Sequence, residues 1–325
     1  MFGVGPMVKW VFTHSDGDGV CSGALALAAN PDARVFFTHP SGLLEDLENV
    51  RVGDSIVICD IALPEDKLTD VLTRFSEIAK YGELIYIDHH PLPETITPKD
   101  IPGKVLHAIG SSASELAYVF FQERLAHTIS RVAIYGAISD YMDRTPTISM
   151  LLQSWDKRTI YFETGVLVQG LESFKRDHDF KRKIVSHLAA NNPPSLCVEL
   201  LEAAIENTKR ENEIIRSLGN YIKVYGNIAY AINVPFSLGK TAIYVRALAN
   251  TPVGLAGEER RGFIDMSLRT CEESIDLNSI LRRISPKLGG SGGGHREAAG
   301  ARVPKENFQK FIEELDKALK GTYER

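Results

Sequence analysis

Two aspartates stand two residues apart in Asp16-Gly17-Asp18-Gly19, directly after an apolar run. Carboxylates at i and i+2 on a turn can face one site, and the flanking glycines free the backbone to bend there. Asp60 closes the run Val-Ile-Cys, and Asp88-His89-His90 closes Ile-Tyr-Ile. Asp140 follows Ala-Ile-Tyr-Gly-Ala-Ile-Ser, with Asp143 three residues further on. Carboxylates mixed with imidazoles suit divalent ions of intermediate hardness such as Mn2+, with Mg2+ as the harder alternative. Two such ions about 3.5–4 Å apart can activate a water and clamp both oxygens of an in-line displacement at phosphorus. One aspartate after a strand is more often a helix cap than a ligand. The metal reading rests on four such clusters, each expected at the end of a strand.

The run Gly289-Gly-Ser-Gly-Gly-Gly-His-Arg-Glu-Ala-Ala-Gly300 carries the second signal. Glycines let a backbone approach a ligand closely, and their N–H groups can cradle a phosphate. A helix beginning in Arg296–Gly300 would add a favourable dipole for an anion. Gly292, Gly293, Gly294 and the side chains of His295 and Arg296 are thus candidate phosphate contacts. Arg269, at the end of Asp-Met-Ser-Leu-Arg, offers a bidentate fork for the same purpose. The run lacks the Gly-Lys-Ser/Thr ending of a nucleotide-triphosphate loop. A flexible linker is the alternative reading, and the His-Arg-Glu-Ala-Ala-Gly continuation speaks against it.

Positioning these groups requires a scaffold that brings distant segments together. Strand-like runs at Lys9–His14, Arg34–Thr38, Ser55–Asp60, Leu84–Asp88 and Lys104–Ala108 alternate with helical patterns at Val20–Asn30, Glu65–Lys80 and Ser114–Leu125. That alternation predicts an α/β fold with a parallel sheet, whose carboxyl edge is where ligands bind. Residues 150–220 read as helical, ending in one long helix over Ser195–Leu218 that could join two domains. Strands then return at Ile228–Val234, Val253–Ala256 and Gly262–Arg269. A helix at Leu277–Leu288, a strand at Ala301–Val303 and an amphipathic helix at Lys305–Leu319 complete a smaller mixed α/β domain.

With 325 residues, 44% hydrophobic and 24% charged, the chain is an ordinary globular protein. It has no apolar run long enough to span a membrane, and its N-terminus reads as a strand rather than a signal peptide, so a cytoplasmic location is expected. Cys21, Cys59, Cys197 and Cys271 are scattered without a C-x-x-C pair, which argues for buried hydrophobes rather than disulfides or zinc. A net charge of −5 argues against wrapping duplex DNA but not against a nuclease whose metals carry the attraction.

Taken in order, Asp16-Gly-Asp18-Gly, Asp60, Asp88-His89-His90 and Asp140 resemble the four motifs of the DHH superfamily of phosphoesterases. Gly292-Gly-Gly-His295-Arg-Glu-Ala-Ala-Gly300 resembles the signature of the DHH-associated C-terminal domain. The resemblance covers all but the helical stretch from about 150 to 200. It implies a catalytic metal-binding DHH domain over 1–150, a helical insert and connecting helix over 151–220, and a substrate-binding domain over 221–325, with a cleft between the two domains. It implies two Mn2+ ions, with Mg2+ as a substitute, held by Asp16, Asp18, Asp60, His89 and Asp140, Asp60 bridging them. His90 would ligate metal or position the scissile phosphate, and Asp88 belongs to the same catalytic motif. Arg269 and His295 would contact substrate phosphates. Ser111-Ser112 matches a small polar stretch that follows the DHH motif, and reads equally as a helix cap. Many relatives carry a histidine four residues before the first aspartate. Phe12 stands there instead, and His14, two before Asp16, is the candidate ligand in its place. In this the chain is similar to the RecJ and short archaeal RecJ-like nucleases.

The resemblance implies an exonuclease for single-stranded DNA or RNA, of 3′→5′ polarity, serving repair or replication. The basic segments Phe174–Lys183 and Glu258–Arg261 could track a strand, the first with flanking aromatics for stacking, although that first segment reads more readily as a solvated helix face. The alternative substrates are small: very short oligonucleotides, nucleotide bisphosphates or cyclic dinucleotides. A further alternative is a scaffold that docks on a helicase or other repair partner, although every expected ligand position is filled. No membrane partner is expected, and a homo-oligomer is.

Overall fold

The structure, a computed structural model, describes residues 7–323. Met1–Pro6, part of the opening stretch read as leading into the first strand, lie outside them. The chain divides into two compact units, Met1–Asn207 and Thr208–Arg325.

The first unit runs β1 (Lys9–Thr13), α1 (Gly17–Ala29), β2 (Arg34–Phe37), α2 (Leu43–Asp46), β3 (Ser55–Cys59), α3 (Leu68–Tyr81), β4 (Leu84–Asp88), β5 (Lys104–His107), α4 (Ala113–Phe121), α5 (Ser130–Ser139), α6 (Pro146–Leu152), α7 (Lys157–Ser173) and α8 (His178–Ala189), and helix α9 (Val198–Ser217) starts in it and ends in the second. The strands of the first unit form one parallel sheet in the order β2-β1-β3-β4-β5. Alternate side chains serve opposite faces, as a period of two requires. Val11, Val57 and Ile85 join a core with Leu25 of α1, Leu116 of α4, Ile134 of α5, Leu167 of α7 and Ile184 of α8. Phe12, Ile58 and Tyr86 join another with Leu43 of α2 and Val71 and Phe75 of α3. Val71, Phe75 and Ile78 are the buried stripe of α3, at the i, i+4, i+7 spacing of an amphipathic helix. The chain leaves β1 for β2 on one side and returns to β3 on the other, so the strand order reverses between β1 and β3. In open α/β sheets that reversal point is where ligands bind.

The second unit runs β6 (Lys223–Tyr225), β7 (Ile228–Ile232), α10 (Leu238–Ala249), β8 (Val253–Arg260), β9 (Phe263–Thr270), α11 (Leu277–Ile284), β10 (Ser291–Gly294), β11 (Ala298–Pro304) and α12 (Phe308–Tyr323). Its sheet has the order β10-β11-β9-β8-β7-β6, antiparallel except for β7 beside β8. One core holds Leu255, Met266 and Leu268 with Leu277 and Leu281 of α11 and Phe311 and Leu315 of α12. A smaller one gathers Ala229, Ala231 and Val245 of α10.

Four sequence expectations need correction. The glycine run does not lead into a helix at Arg296–Gly300. It forms the hairpin β10–β11, in which Gly293 pairs with Gly300 and Gly294 with Ala299. Ala299, Ala301 and Val303 fill the core at alternate positions, which commits the segment to a strand. Asp140 stands at the C-cap of α5 rather than at a strand end. Helix α10 was not foreseen. Cys271 is exposed, with Arg246 Nη1 2.9 Å from its sulfur, while Cys21, Cys59 and Cys197 are buried thiols as expected. Among the described residues no helix is long and apolar enough to cross a membrane.

Candidate metal centre

Asp16 caps α1, its Oδ1 accepting the Gly19 N–H at 3.0 Å, while its Oδ2 lies 2.8 Å from His14 Nδ1. A side chain at position 19 would put its Cβ 2.3 Å from the His14 carbonyl oxygen, so this turn needs glycine there. Asp18, one turn into α1, is buried. Its two oxygens accept the first backbone N–H groups of α4, from Ala113 at 2.6 Å and Ser114 at 3.0 Å. Gly136 of α5 makes room for it, because a Cβ there would come 2.7 Å from Asp18 Oδ1.

Asp60, one residue past β3, is buried and has the left-handed φ of 59°. A non-glycine residue in that region costs about 1–3 kcal/mol and collects at functional sites. Its Oδ1 is 3.2 Å from His89 Nε2 and 4.0 Å from His90 Nδ1, and its Oδ2 is 3.9 Å from His14 Nδ1. His89 Nε2 also lies 3.9 Å from Asp18 and 3.6 Å from Asp140, and the ring makes a hydrogen bond with the Ser111 backbone. Asp88, fully buried at the end of β4, faces His90 Nδ1 at 2.9 Å and accepts from the Tyr86 hydroxyl at 3.1 Å.

The eight candidate side chains therefore converge at one sheet edge. Three groups, His14–Asp16–Asp60, Asp18–His89–Asp140 and Asp60–Asp88–His90, each bring their ligand atoms within 4.8 Å of one another, and Asp60 belongs to two of them. Crowding of negative charge shifts the proton affinities of these groups. Burial and the neighbouring Asp16 and Asp18 push the Asp60 carboxyl well above its ordinary range. Burial and Asp18 push Asp140 up to about 7. Burial opposes charge on His90, but Asp88 outweighs it and raises the imidazole to about 9. Burial also works against Asp16, and His14 outweighs it, holding that carboxyl low. Two buried oxygens, Asp60 Oδ2 and Asp140 Oδ2, have no hydrogen-bond partner. Buried oxygens without partners are rare in folded proteins, and cations supply the missing contact. Carboxylates and imidazoles in this mixture fit divalent ions of the Mn2+ or Mg2+ kind.

Ser112 caps α4 by accepting the Glu115 N–H, which is its cap reading, and is fully buried. In the second unit Arg269 lies on the α10 face of β9, its Nη1 donating to Ser267 Oγ and the Leu268 carbonyl at 2.9 Å each. Gly292 lies so close to α11 that a Cβ would come 2.6 Å from Ser285 Oγ. Gly294 donates its N–H to Asn278 Oδ1 at 3.1 Å and His295 its own to the Ala298 carbonyl at 2.8 Å. These glycines thus have a packing role in the hairpin, and part of their N–H supply is committed to it. The aromatics flanking the basic segment stack on each other, Phe174 on buried Phe180 with centroids 3.7 Å apart. Sequence reading missed Tyr86, which shares a strand face with Asp88 two residues on, and it placed Lys181 in a strand-tracking basic segment, whereas that lysine is buried and its Nζ donates to the Ser15 carbonyl at 2.6 Å. Lys181 does leave a trace in the sequence, as a charge on the apolar stripe of α8.

Comparison with known proteins agrees with this architecture. Residues 235–321 match the DHHA1 domain family. Among solved structures, a DHH domain described as belonging to a family of ribosomal proteins superposes with a TM-score of 0.74 at 16% identity, over 96% of this chain and 86% of that one. RecJ of Thermus thermophilus in complex with Mn2+ gives 0.68 at 17% identity, over 95% of this chain and 51% of that one. The pGpG-specific phosphodiesterase PggH of Vibrio cholerae gives 0.60 at 13% identity, over 97% and 99%. No curated protein matches the sequence. Residues 235–321 thus carry a DHHA1 domain, and the whole chain shares its fold with DHH-domain and RecJ structures.

Proposed function

We propose that the chain is a two-metal phosphoesterase that hydrolyses phosphodiester bonds of single-stranded DNA or RNA as an exonuclease of 3′→5′ polarity, in repair or replication. The observation that carries the chemistry is the pair of buried oxygens without a hydrogen bond, on Asp60 and Asp140, inside a ring of histidines and carboxylates. Asp16, Asp18, Asp60, His89 and Asp140 would hold two Mn2+ ions, with His14 as a further ligand and Mg2+ as a substitute. When bound, the ions would supply activation of water and charge neutralisation at phosphorus.

The protein's own groups do the rest. Asp88 fixes the ring of His90 through Nδ1, and His90 would donate to a phosphoryl oxygen. The Tyr86 hydroxyl holds Asp88 in turn. Helix α4 anchors Asp18 by its N-terminal N–H groups, where a carboxylate is also favoured by the helix dipole. In the second unit Arg269, with His295 and the hairpin glycines, would bind substrate phosphates, and Ser111 would adjoin the substrate, with Ser112 behind it as the buried cap of α4.

A second reading is a phosphodiesterase for small substrates such as dinucleotides. It is supported by likeness of fold to PggH, a pGpG-specific phosphodiesterase. Cleavage of 5′-labelled DNA and RNA, from dinucleotides to strands of several tens of nucleotides, with Mn2+, separates the two. Progressive shortening of long strands, lost in an Asp88→Ala, His89→Ala variant, is the expected result. Hydrolysis confined to the shortest oligomers would favour the small-substrate reading. No cleavage at any length would leave a binding scaffold.

A further inference from the structure

Lys181 stands on α8, an element that the mechanism above leaves unused. It is only 5% exposed and lies on the helix stripe of Phe180, Ile184, Val185 and Leu188, the buried residues of α8. A buried ammonium is costly unless its protons are taken up. Nζ donates to the Ser15 carbonyl at 2.6 Å and to the Lys175 carbonyl at 3.3 Å. Ser15 is the residue between His14 and Asp16, both of which face Asp60 or each other in the candidate centre. The helix that carries the lysine is anchored by Phe180, Ile184, Val185 and Leu188, all in the main core of the first unit.

We infer that Lys181 is a positioning residue: it ties the turn between β1 and α1 to α8 and thereby holds His14 and Asp16 where they can bind metal. The helices after residue 150 are then part of the metal site's support. This rests on the reading of His14, Asp16 and Asp60 as ligands.

The sign of the effect separates this role from the alternatives. A positive charge beside a cation site repels the cation, so removing it for electrostatic reasons alone would strengthen metal binding. A lysine that merely fills space would leave metal binding unchanged. A tether predicts weaker binding. The experiment is Mn2+ affinity, by electron paramagnetic resonance of the free ion, for wild type, Lys181→Met and Lys181→Arg, each checked for folding by circular dichroism. Lys181→Met should bind Mn2+ about tenfold or more weakly, the size expected for a group supporting a ligand. Lys181→Arg, which keeps the charge and carries several N–H donors, should recover most of the loss. Equal or tighter binding by folded Lys181→Met would overturn the inference while leaving the metal centre intact. A wild-type protein that binds no Mn2+ would overturn the metal centre itself, and the tether with it. Should Lys181→Met not fold, Lys181→Gln is measured instead; if neither folds, Lys181 is a folding residue and the inference falls.

Discussion

Asp16 accepts the Gly19 N–H through one oxygen and faces His14 through the other. Asp18 accepts two N–H groups of α4 and still lies 3.9 Å from His89. The choice between helix cap and metal ligand, which the sequence posed for every aspartate, is therefore not exclusive: each carboxylate has lone pairs enough for both. At this scale Tyr86 offers a clean test. Tyr86→Phe removes the hydroxyl that holds Asp88 and bonds the Ile61 carbonyl. Activity should fall about tenfold, and stability by about 1 kcal/mol, read in denaturant melts. The titrating groups make a second prediction. Asp60 and Asp140 have raised folded-state pKa values, Asp140 at about 7, and His90 is raised to about 9. Between their unfolded and folded values, the folded protein binds more protons than the unfolded one. Stability of the metal-free protein should therefore fall as pH rises from about 4 to about 9. Mn2+ should flatten that slope and release protons on binding, measurable by calorimetry in two buffers of different ionisation enthalpy.

Strands were the most legible elements, because β1, β3 and β4 are short apolar runs ended by an acidic or histidine residue. The helices buried all round were the least legible. In α5, Val132 to Ala137 are all buried, so no polar face marks its period. The glycine hairpin was misread for a related reason. Glycine and alanine are both depleted in strands and alanine favours a helix, so only pairing with β9 and β10 decides that Ala298–Pro304 is a strand. Gly136 shows how an element shapes the centre without a functional group of its own. Gly136→Ala places a Cβ 2.2 Å from Ser114 Oγ and 2.7 Å from Asp18. It should cost about 1–3 kcal/mol by overpacking and weaken Mn2+ binding, whereas Ser112→Ala, a cap loss, should cost about 1 kcal/mol. Thermal melts with and without Mn2+ distinguish the two.

For the whole molecule, the sequence motifs foretold an α/β unit holding the acidic cluster and a smaller mixed unit carrying the glycine signature, and the fold has both. What the motifs did not show is the support: Tyr86, Gly136 and Lys181 become visible only when residues far apart in the chain meet. A ligand that binds the folded state alone stabilises it by mass action, about 2.7 kcal/mol at a hundred times its dissociation constant. Mn2+ should raise the melting point of the wild type accordingly and that of an Asp60→Ala variant by much less. The most direct test of the central claim is the stoichiometry of Mn2+ binding at saturation, measured by calorimetry on the metal-free chain. Two ions per chain, with the count reduced in Asp60→Ala, is the result expected of a centre in which Asp60 serves both ions. No bound ion, or a count unaffected by Asp60→Ala, would contradict it.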